Sequence, residues 1–210
     1  DLALWATRLS ADTLPAGSAA FFDALLGSPA GPGSGPPYPD FTALPFLLLS
    51  GTTVPAQRTF LASARDRGLP TVAIPTRTES APGLRRAQLR EELQLHGRAC
   101  AYPHGPVDPK PEAATFIRRT LATIARENVT GGLARHLIIE GGATAADIAA
   151  SLDWTSFRVI HEWSPGIVTV APDLRPDLRL TLKPGSYPWP APLLSLIFAA
   201  GSGRTKPSNC

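Results

Sequence analysis

The stretch from His136 to Leu152 constrains the fold of this chain more than any other. It places a continuous apolar run, Leu137 to Ile139, shortly before the glycine pair Gly141–Gly142. An apolar run of this length is typical of a strand that is covered on both faces, and the apolar residues from Ala145 onward recur at helical spacing. The segment therefore predicts a buried strand, a tight glycine turn and a new helix that Thr144 caps through its hydroxyl.

A turn of this kind has two interpretations. The first amides of a helix have no intrahelical acceptor and lie at the positive end of its dipole, so they suit an anion such as a phosphate group. An ordinary connection between a strand and a helix also uses glycine, so the motif alone leaves both interpretations open.

A second strand–glycine–helix unit lies earlier in the chain. We expect a strand at Pro45–Ser50, a turn at Gly51–Thr53, a helix at Val54–Arg67 and a strand at Thr71–Ile74, an order that indicates parallel pairing. The sequence also predicts helices and strands elsewhere: helices at Ala16–Leu26, Leu84–His96, Pro111–Glu127 and Pro192–Ala199, and strands at Phe157–Glu162, Gly166–Val170 and Leu178–Leu182. Short loops between the late strands favour an antiparallel part. The predicted fold is α/β and three-layered, with a mixed, mostly parallel sheet and helices on both faces.

Composition divides the chain into three regions. Residues 1–39 comprise an N-terminal helical segment and a linker rich in proline and glycine, residues 40–200 the α/β domain, and residues 201–210 a mobile tail. Asp1 does not look like a natural beginning, so we expect a fragment of a longer protein. No apolar run is long enough to cross a bilayer and no secretory signal is seen, so membrane contact is not expected. Because no structural disulfide is expected, a reducing cytoplasm is the expected location.

Charge and residue spacing exclude several classes of function. The net charge is only +3 and the arginines are scattered, so nucleic-acid binding is not expected. The four histidines are dispersed and no catalytic triad or metal cluster is seen, so the catalytic residues stay unidentified. Among the single carboxylates, Glu140 is the best candidate for a Mg²⁺–phosphate contact. Cys100 and Cys210 are not expected to form a structural disulfide.

A third glycine turn contains one of only three lysines, Lys183, followed by Pro184 and Gly185. Because the chain otherwise uses arginine, this lysine is either a compact cation for phosphate oxygens or a solvated turn residue. Neither of the first two turns matches a Walker A loop or a G-x-G-x-x-G fingerprint, so a standard P-loop or Rossmann site is not supported. The turns can meet at the carboxyl edge of the sheet, where such folds bind ligands.

Four stretches together carry a family resemblance. Gly17–Ala20 resembles a G-S-A-G motif, Ser50–Thr52 resembles S-G-S, and Gly141–Thr144 resembles G-G-[DE]-T. Pro165–Gly166 followed by Lys183–Tyr187 resembles P-G and K-P-G-[GS]-F-G. In this order, the stretches are similar to those of the C-terminal nucleotide-binding domain of the four-carbon acid sugar kinases, over nearly the whole chain.

The resemblance implies that ATP, with Mg²⁺, binds over the three turns. It implies phosphoryl transfer to a hydroxyl of a threonate- or erythronate-like acid. The acid sugar binds an N-terminal domain of that family that this chain lacks, so the isolated chain is expected to be inactive. The implied nucleotide-binding residues are Ser50, Gly51, Thr52, Gly141, Gly142, Ala143, Thr144, Lys183 and Gly185.

Two departures from the family pattern keep an alternative open. Ala143 stands where the family has an acid, and Pro188 replaces a glycine and removes an N–H. The chain can therefore also be a degenerate, non-catalytic module with a role in assembly or regulation. A third alternative is an independent small-molecule enzyme. The acceptor sugar, its phosphorylated hydroxyl and homo-oligomerisation stay open.

Overall fold

The structure, a computed structural model, describes residues 2–8, 21, 24, 44–52, 55–76, 82–105 and 110–199. The chain forms two units, residues 1–39 and 40–210, and the described part of the first contains helix α1 (Leu2–Ala6). Of the helix predicted at residues 16–26, only Phe21 and Ala24 are described, and both are helical. The predicted linker at residues 28–39, the tail at 201–210 and the motif at 17–20 lie outside the described residues.

The second unit is built on a seven-stranded sheet with the order β2-β3-β1-β4-β7-β6-β5. Its strands are β1 (Phe46–Ser50), β2 (Thr71–Ile74), β3 (Arg98–Pro103), β4 (His136–Glu140), β5 (Phe157–Ser164), β6 (Ile167–Pro172) and β7 (Arg179–Lys183). Its helices are α2 (Pro55–Asp66), α3 (Pro82–His96), α4 (Pro111–Thr130), α5 (Gly142–Ser151) and α6 (Ala191–Ala199). The first five strands in this order pair in parallel, and β6 and β5 add antiparallel pairs at one side. The predicted mixed, mostly parallel sheet is confirmed.

Helices cover both faces of this sheet. Leu47 and Leu49 of β1 belong to one apolar cluster, which also contains buried residues of α3, α4 and α5. Phe46 and Leu48, which point to the opposite face, belong to a second cluster with residues of α2 and α6. Burial on both faces explains why the central strands are continuous apolar runs rather than alternating ones. None of the described helices has both the length and the apolar character that a membrane span requires.

Strand β3 was not predicted, and it changes the neighbours of the others. It lies between β1 and β2 and pairs in parallel with both. The unit predicted from Pro45 to Ile74 is therefore correct in strand direction, but its two strands are not adjacent. The sequence of β3, RACAYP, contains no β-branched residue and follows a helix after one glycine, so it has little strand signal.

The register of the three central strands brings their carboxyl ends level. Ser50 pairs with Glu140 across β1 and β4, and Glu140 pairs with Lys183 across β4 and β7. The chain leaves all three strands at the same edge of the sheet. The three glycine turns therefore start side by side, at the edge where open α/β sheets bind ligands.

Candidate functional site

Backbone hydrogen bonds join the three turns directly. The Gly51 N–H donates to the Glu140 carbonyl at 2.9 Å, and the Gly141 N–H donates to the Lys183 carbonyl at 2.9 Å. These bonds continue the parallel ladder one residue beyond the strands. The hydrogen bonds of the sheet therefore fix the backbone where these turns begin.

Close approaches between the turns complete the contact. A Cβ atom on Gly51 would lie 2.0 Å from the Thr144 Oγ1, which is shorter than any normal contact between non-bonded atoms. A Cβ atom on Gly185 would lie 3.6 Å from both the Cβ and the Oγ1 of Thr52. The first turn is thus packed against the second through Gly51 and against the third through Thr52, and position 51 requires glycine because of this packing.

A buried ion pair lies beneath the turns. The Lys183 ammonium donates to Glu140 Oε1 at 2.8 Å, and the Ser50 hydroxyl donates to Glu140 Oε2 at 2.5 Å. The side chains of Lys183 and Glu140 are only 1% and 3% exposed. The ammonium also donates to the Pro184 carbonyl at 3.1 Å and lies 4.8 Å from the centre of the Trp189 ring. One carboxylate therefore connects the ends of all three central strands.

Lys183 and Glu140 are each other's partners in this ion pair, which their positions in the sequence did not show. The ammonium of Lys183, expected to face phosphate oxygens or solvent, is inside the fold on Glu140. Glu140, the best Mg²⁺ candidate in the sequence, uses both of its oxygens on Ser50 and Lys183. In this geometry both residues hold the turns in place, and a direct ligand contact by either stays a prediction.

Helix α5 begins without a side-chain cap. Gly141 is the N-cap residue, with φ 111° and ψ 119°, and it makes no side-chain cap bond. The prediction that Thr144 caps the helix is wrong, because Thr144 lies within the first turn and is buried close to Gly51. A Cβ atom on Gly142 would meet no atom within 4 Å. The N-terminus of α5 is therefore open on one side, as an anion site requires.

A cavity of about 290 Å³ lies over this helix end. Seven of the nine predicted site residues line it: Gly51, Thr52, Gly141, Gly142, Ala143, Thr144 and Gly185. The other two, Ser50 and Lys183, are buried. The structure thus brings together all three predicted turns around one cavity.

Sequence reasoning missed the arginine of this cavity. Arg118 lines it from α4, together with Ala114 and Ile117. The guanidinium donates to the Asp147 carboxylate of α5 at 2.8 Å, and the Arg118 side chain remains 30% exposed. Only the packing of α4 on α5 shows what the Arg118 side chain faces.

The family comparison agrees with this site. A family model described as a nucleotide-binding C-terminal domain matches residues 47–187. The chain belongs to this family. The family that the sequence motifs indicated, the C-terminal nucleotide-binding domain of the four-carbon acid sugar kinases, is thereby confirmed. The matched range begins in β1 and ends in the third turn, so it includes every turn of the site.

Solved structures share the fold of this nucleotide-binding domain. A Haemophilus influenzae protein assigned to a domain of unknown function (DUF1537) has a TM-score of 0.59 at 18% identity, over 74% of this chain and 39% of its own. A Bordetella bronchiseptica DUF1537 protein, a domain-swapped dimer with bound citrate, has a TM-score of 0.60 at 20% identity, over 76% and 40%. A Salmonella typhimurium LT2 protein has a TM-score of 0.55 at 19% identity, over 74% and 39%. The chain thus spans about two fifths of their length, and none of the curated proteins matches it significantly.

Two histidines of the nucleotide-binding domain, His136 and His161, have structural surroundings. Burial, together with the charge of Arg179, lowers the pKa of His136 to about 3, and its Nε2 lies 2.8 Å from the Thr181 Oγ1. Burial also lowers the pKa of His161, whose ring packs edge-on against Trp163. Within the described ranges, no group of three or more histidine, cysteine or acidic residues could hold a metal ion.

Proposed function

We propose that this chain is the ATP-binding domain of a kinase that phosphorylates a hydroxyl of a threonate- or erythronate-like four-carbon acid. The observation that carries the proposal is the convergence of three turns on one cavity at the open N-terminus of α5. Phosphoryl transfer depends mostly on positioning and on neutralising negative charge. Backbone amides and a nearby cation supply both.

The residues have distinct parts in this proposal. The first amides of α5 and the glycine turns face the phosphate groups, and Thr52 lines the same cavity. Arg118 supplies the positive charge, since its guanidinium is the partly exposed cation of the lining. The buried bonds between Ser50, Glu140 and Lys183 keep the turns at the spacing that the phosphates need.

The metal in this proposal arrives with the nucleotide. Mg²⁺ that accompanies the nucleotide would neutralise negative charge on the transferred phosphoryl group. It commonly keeps several waters and needs only one or two protein carboxylates. We assign that part to Asp147, whose side chain is 40% exposed and accepts a hydrogen bond from Arg118 of the cavity lining.

Acceptor binding is assigned to another domain. The chain spans 39–40% of the length of the solved structures that share its fold. We therefore assign the acid sugar and the base that activates it to a substrate domain outside this chain. The domain alone then binds nucleotide with negligible turnover.

Calorimetric titration of the domain with ATP, ADP and Mg²⁺-ATP tests the proposal. We expect saturable binding, and a loss of about tenfold to a hundredfold in affinity for Arg118→Met, because a hydrogen bond to a charged group contributes about 1.5–3 kcal/mol. Arg119→Met is the matched control, since Arg119 is exposed on the same helix and does not line the cavity. An absence of heat with all three nucleotides would refute the proposal.

A degenerate, non-catalytic module is the second candidate function. Ala143 lines the cavity at the position where the family motif has an acid, so this site lacks one carboxylate. Ala143→Asp separates the two candidates. A gain in Mg²⁺-ATP affinity supports the kinase domain, whereas no gain in a chain that binds nucleotide poorly supports a role in assembly or regulation.

A further inference from the structure

A second cavity, of about 400 Å³, opens next to the first. Gly141 and Gly142 line both cavities, so the two meet at the N-terminus of α5. The second cavity extends from there between α5 and the strands β6 and β7. Its walls include Ala145, Ala146 and Ala149 of α5, Leu180 and Leu182 of β7, and Phe157 of β5.

The chemistry of these walls differs from that of the first cavity. Methyl and aliphatic groups form the sides, and the partly exposed ring of Phe157 adds an aromatic surface. The charged residue in the lining is Lys183, whose ammonium already donates to Glu140 and to the Pro184 carbonyl. A slot with such walls suits a flat, largely apolar ring and disfavours a phosphate group.

We propose that this slot binds the purine base of the nucleotide whose phosphates lie over Gly141 and Gly142. The inference rests on the proposed nucleotide function and assigns the second half of the same ligand. The continuity of the two cavities carries it, because a nucleotide has an anionic end and an apolar end joined by a short sugar. The volume also falls within the range of small-molecule sites, about 300–1,000 Å³.

The walls also determine how the base is selected. Apart from Lys183, the described side chains of the lining have no group that can donate or accept a strong hydrogen bond. The slot therefore recognises the base by the apolar area of its ring and not by the hydrogen-bonding groups on the edge of the ring. ADP and GDP bind within a few-fold of each other, and both bind more tightly than UDP, whose smaller ring covers less of the walls.

A substitution that fills the slot tests the proposal. Ala146 lines the slot and is exposed, so Ala146→Phe occupies the space of the ring without entering the core. Ala150→Phe is the matched control, because Ala150 is exposed on the same helix but lies outside the lining. Binding of ADP and of inorganic tripolyphosphate is measured by calorimetry for each variant. We expect Ala146→Phe to lower the affinity for ADP by at least about tenfold and to change the affinity for tripolyphosphate by less than twofold. Ala150→Phe is expected to change neither affinity.

The outcomes separate this inference from the proposed function. Unchanged ADP affinity in Ala146→Phe, or tripolyphosphate binding as tightly as ADP to the unaltered chain, overturns the base slot and leaves the phosphate site standing. Binding of neither ligand to the unaltered chain overturns both. Phe157→Ala provides an independent check from the opposite wall, with an expected loss of several-fold for ADP and none for tripolyphosphate.

Discussion

Replacing Lys183 by methionine tests whether the buried ion pair holds the site together. In the Lys183→Met variant the carboxylate of Glu140 keeps its bond from Ser50 but loses its counter-charge, while its side chain stays only 3% exposed. Removing one partner of a buried pair costs about 3–5 kcal/mol, because the remaining charge is left in a region of low dielectric. That loss is large against a total stability of about 5–15 kcal/mol.

The double variant Glu140→Gln with Lys183→Met separates the loss of charge from the loss of packing. It removes both charges and leaves the glutamine carbonyl as an acceptor for the Ser50 hydroxyl. We expect it to recover at least about 1 kcal/mol of the loss in the single variant, because no unpaired charge remains buried. Recovery therefore reports the electrostatic part of the effect.

Urea unfolding at pH 7, followed by circular dichroism and tryptophan fluorescence, gives the free energy of unfolding of each variant. Arg175→Met is the control, since the Arg175–Asp177 pair has a similar distance, 3.0 Å, but side chains that are 47% and 40% exposed. A surface pair of this kind contributes at most about 1 kcal/mol. A loss below about 1 kcal/mol for Lys183→Met, or a double variant no more stable than the single one, would show that the pair does not hold the turns.

Two further predictions concern the packing of the turns and the response to acid. Gly51→Ala should lower the affinity for ADP by at least about tenfold, because the new Cβ would lie 2.0 Å from the Thr144 Oγ1. Gly83→Ala is the control, because its Cβ would meet no atom within 4 Å and the affinity for ADP should not change. Calorimetric titration measures both affinities. The pKa of His136 is about 3 in the folded chain and about 6.5 when unfolded, so the unfolded state binds the extra proton and stability falls as the pH drops through this window. His136→Asn should remove up to about 3 kcal/mol of that fall between pH 7 and pH 4, because about 2.5 pH units of the window lie above pH 4. The measurement is the difference in unfolding free energy between the two pH values, and parallel pH profiles for the two proteins would contradict the assignment.

Local sequence signals predicted the elements that build the site. The apolar runs in β1 and β4 identified buried central strands, and the glycines after them identified the turns. The short loops between the late strands correctly predicted their antiparallel arrangement. These signals are reliable here because each depends on a few neighbouring residues, whose conformations are set by their own burial and backbone freedom.

The interactions that complete the site are not local, and the sequence did not show them. Ser50 and Lys183 meet Glu140 across 90 and 43 positions, because strand order and register place their ends in one row. Arg118 faces the cavity only because α4 packs on α5 through its bond to Asp147. Strand β3, which contains no β-branched residue, is defined by the two strands that flank it. Such features follow from the tertiary arrangement and leave no periodic signal.

The buried ion pair and the open N-terminus of α5 make different electrostatic contributions to the site. Because Lys183 is neutralised by Glu140 inside the fold, it adds little net charge to the cavity above it. The field there is set by the N-terminus of α5 and by Arg118, which is itself paired with Asp147. A bound triphosphate would therefore compete with Asp147 for the guanidinium, and Mg²⁺ would relieve that competition by taking the carboxylate. Under the proposed function, this geometry would favour the metal–nucleotide complex over the free nucleotide, because the Arg118–Asp147 salt bridge joins a lining residue of the cavity to a carboxylate.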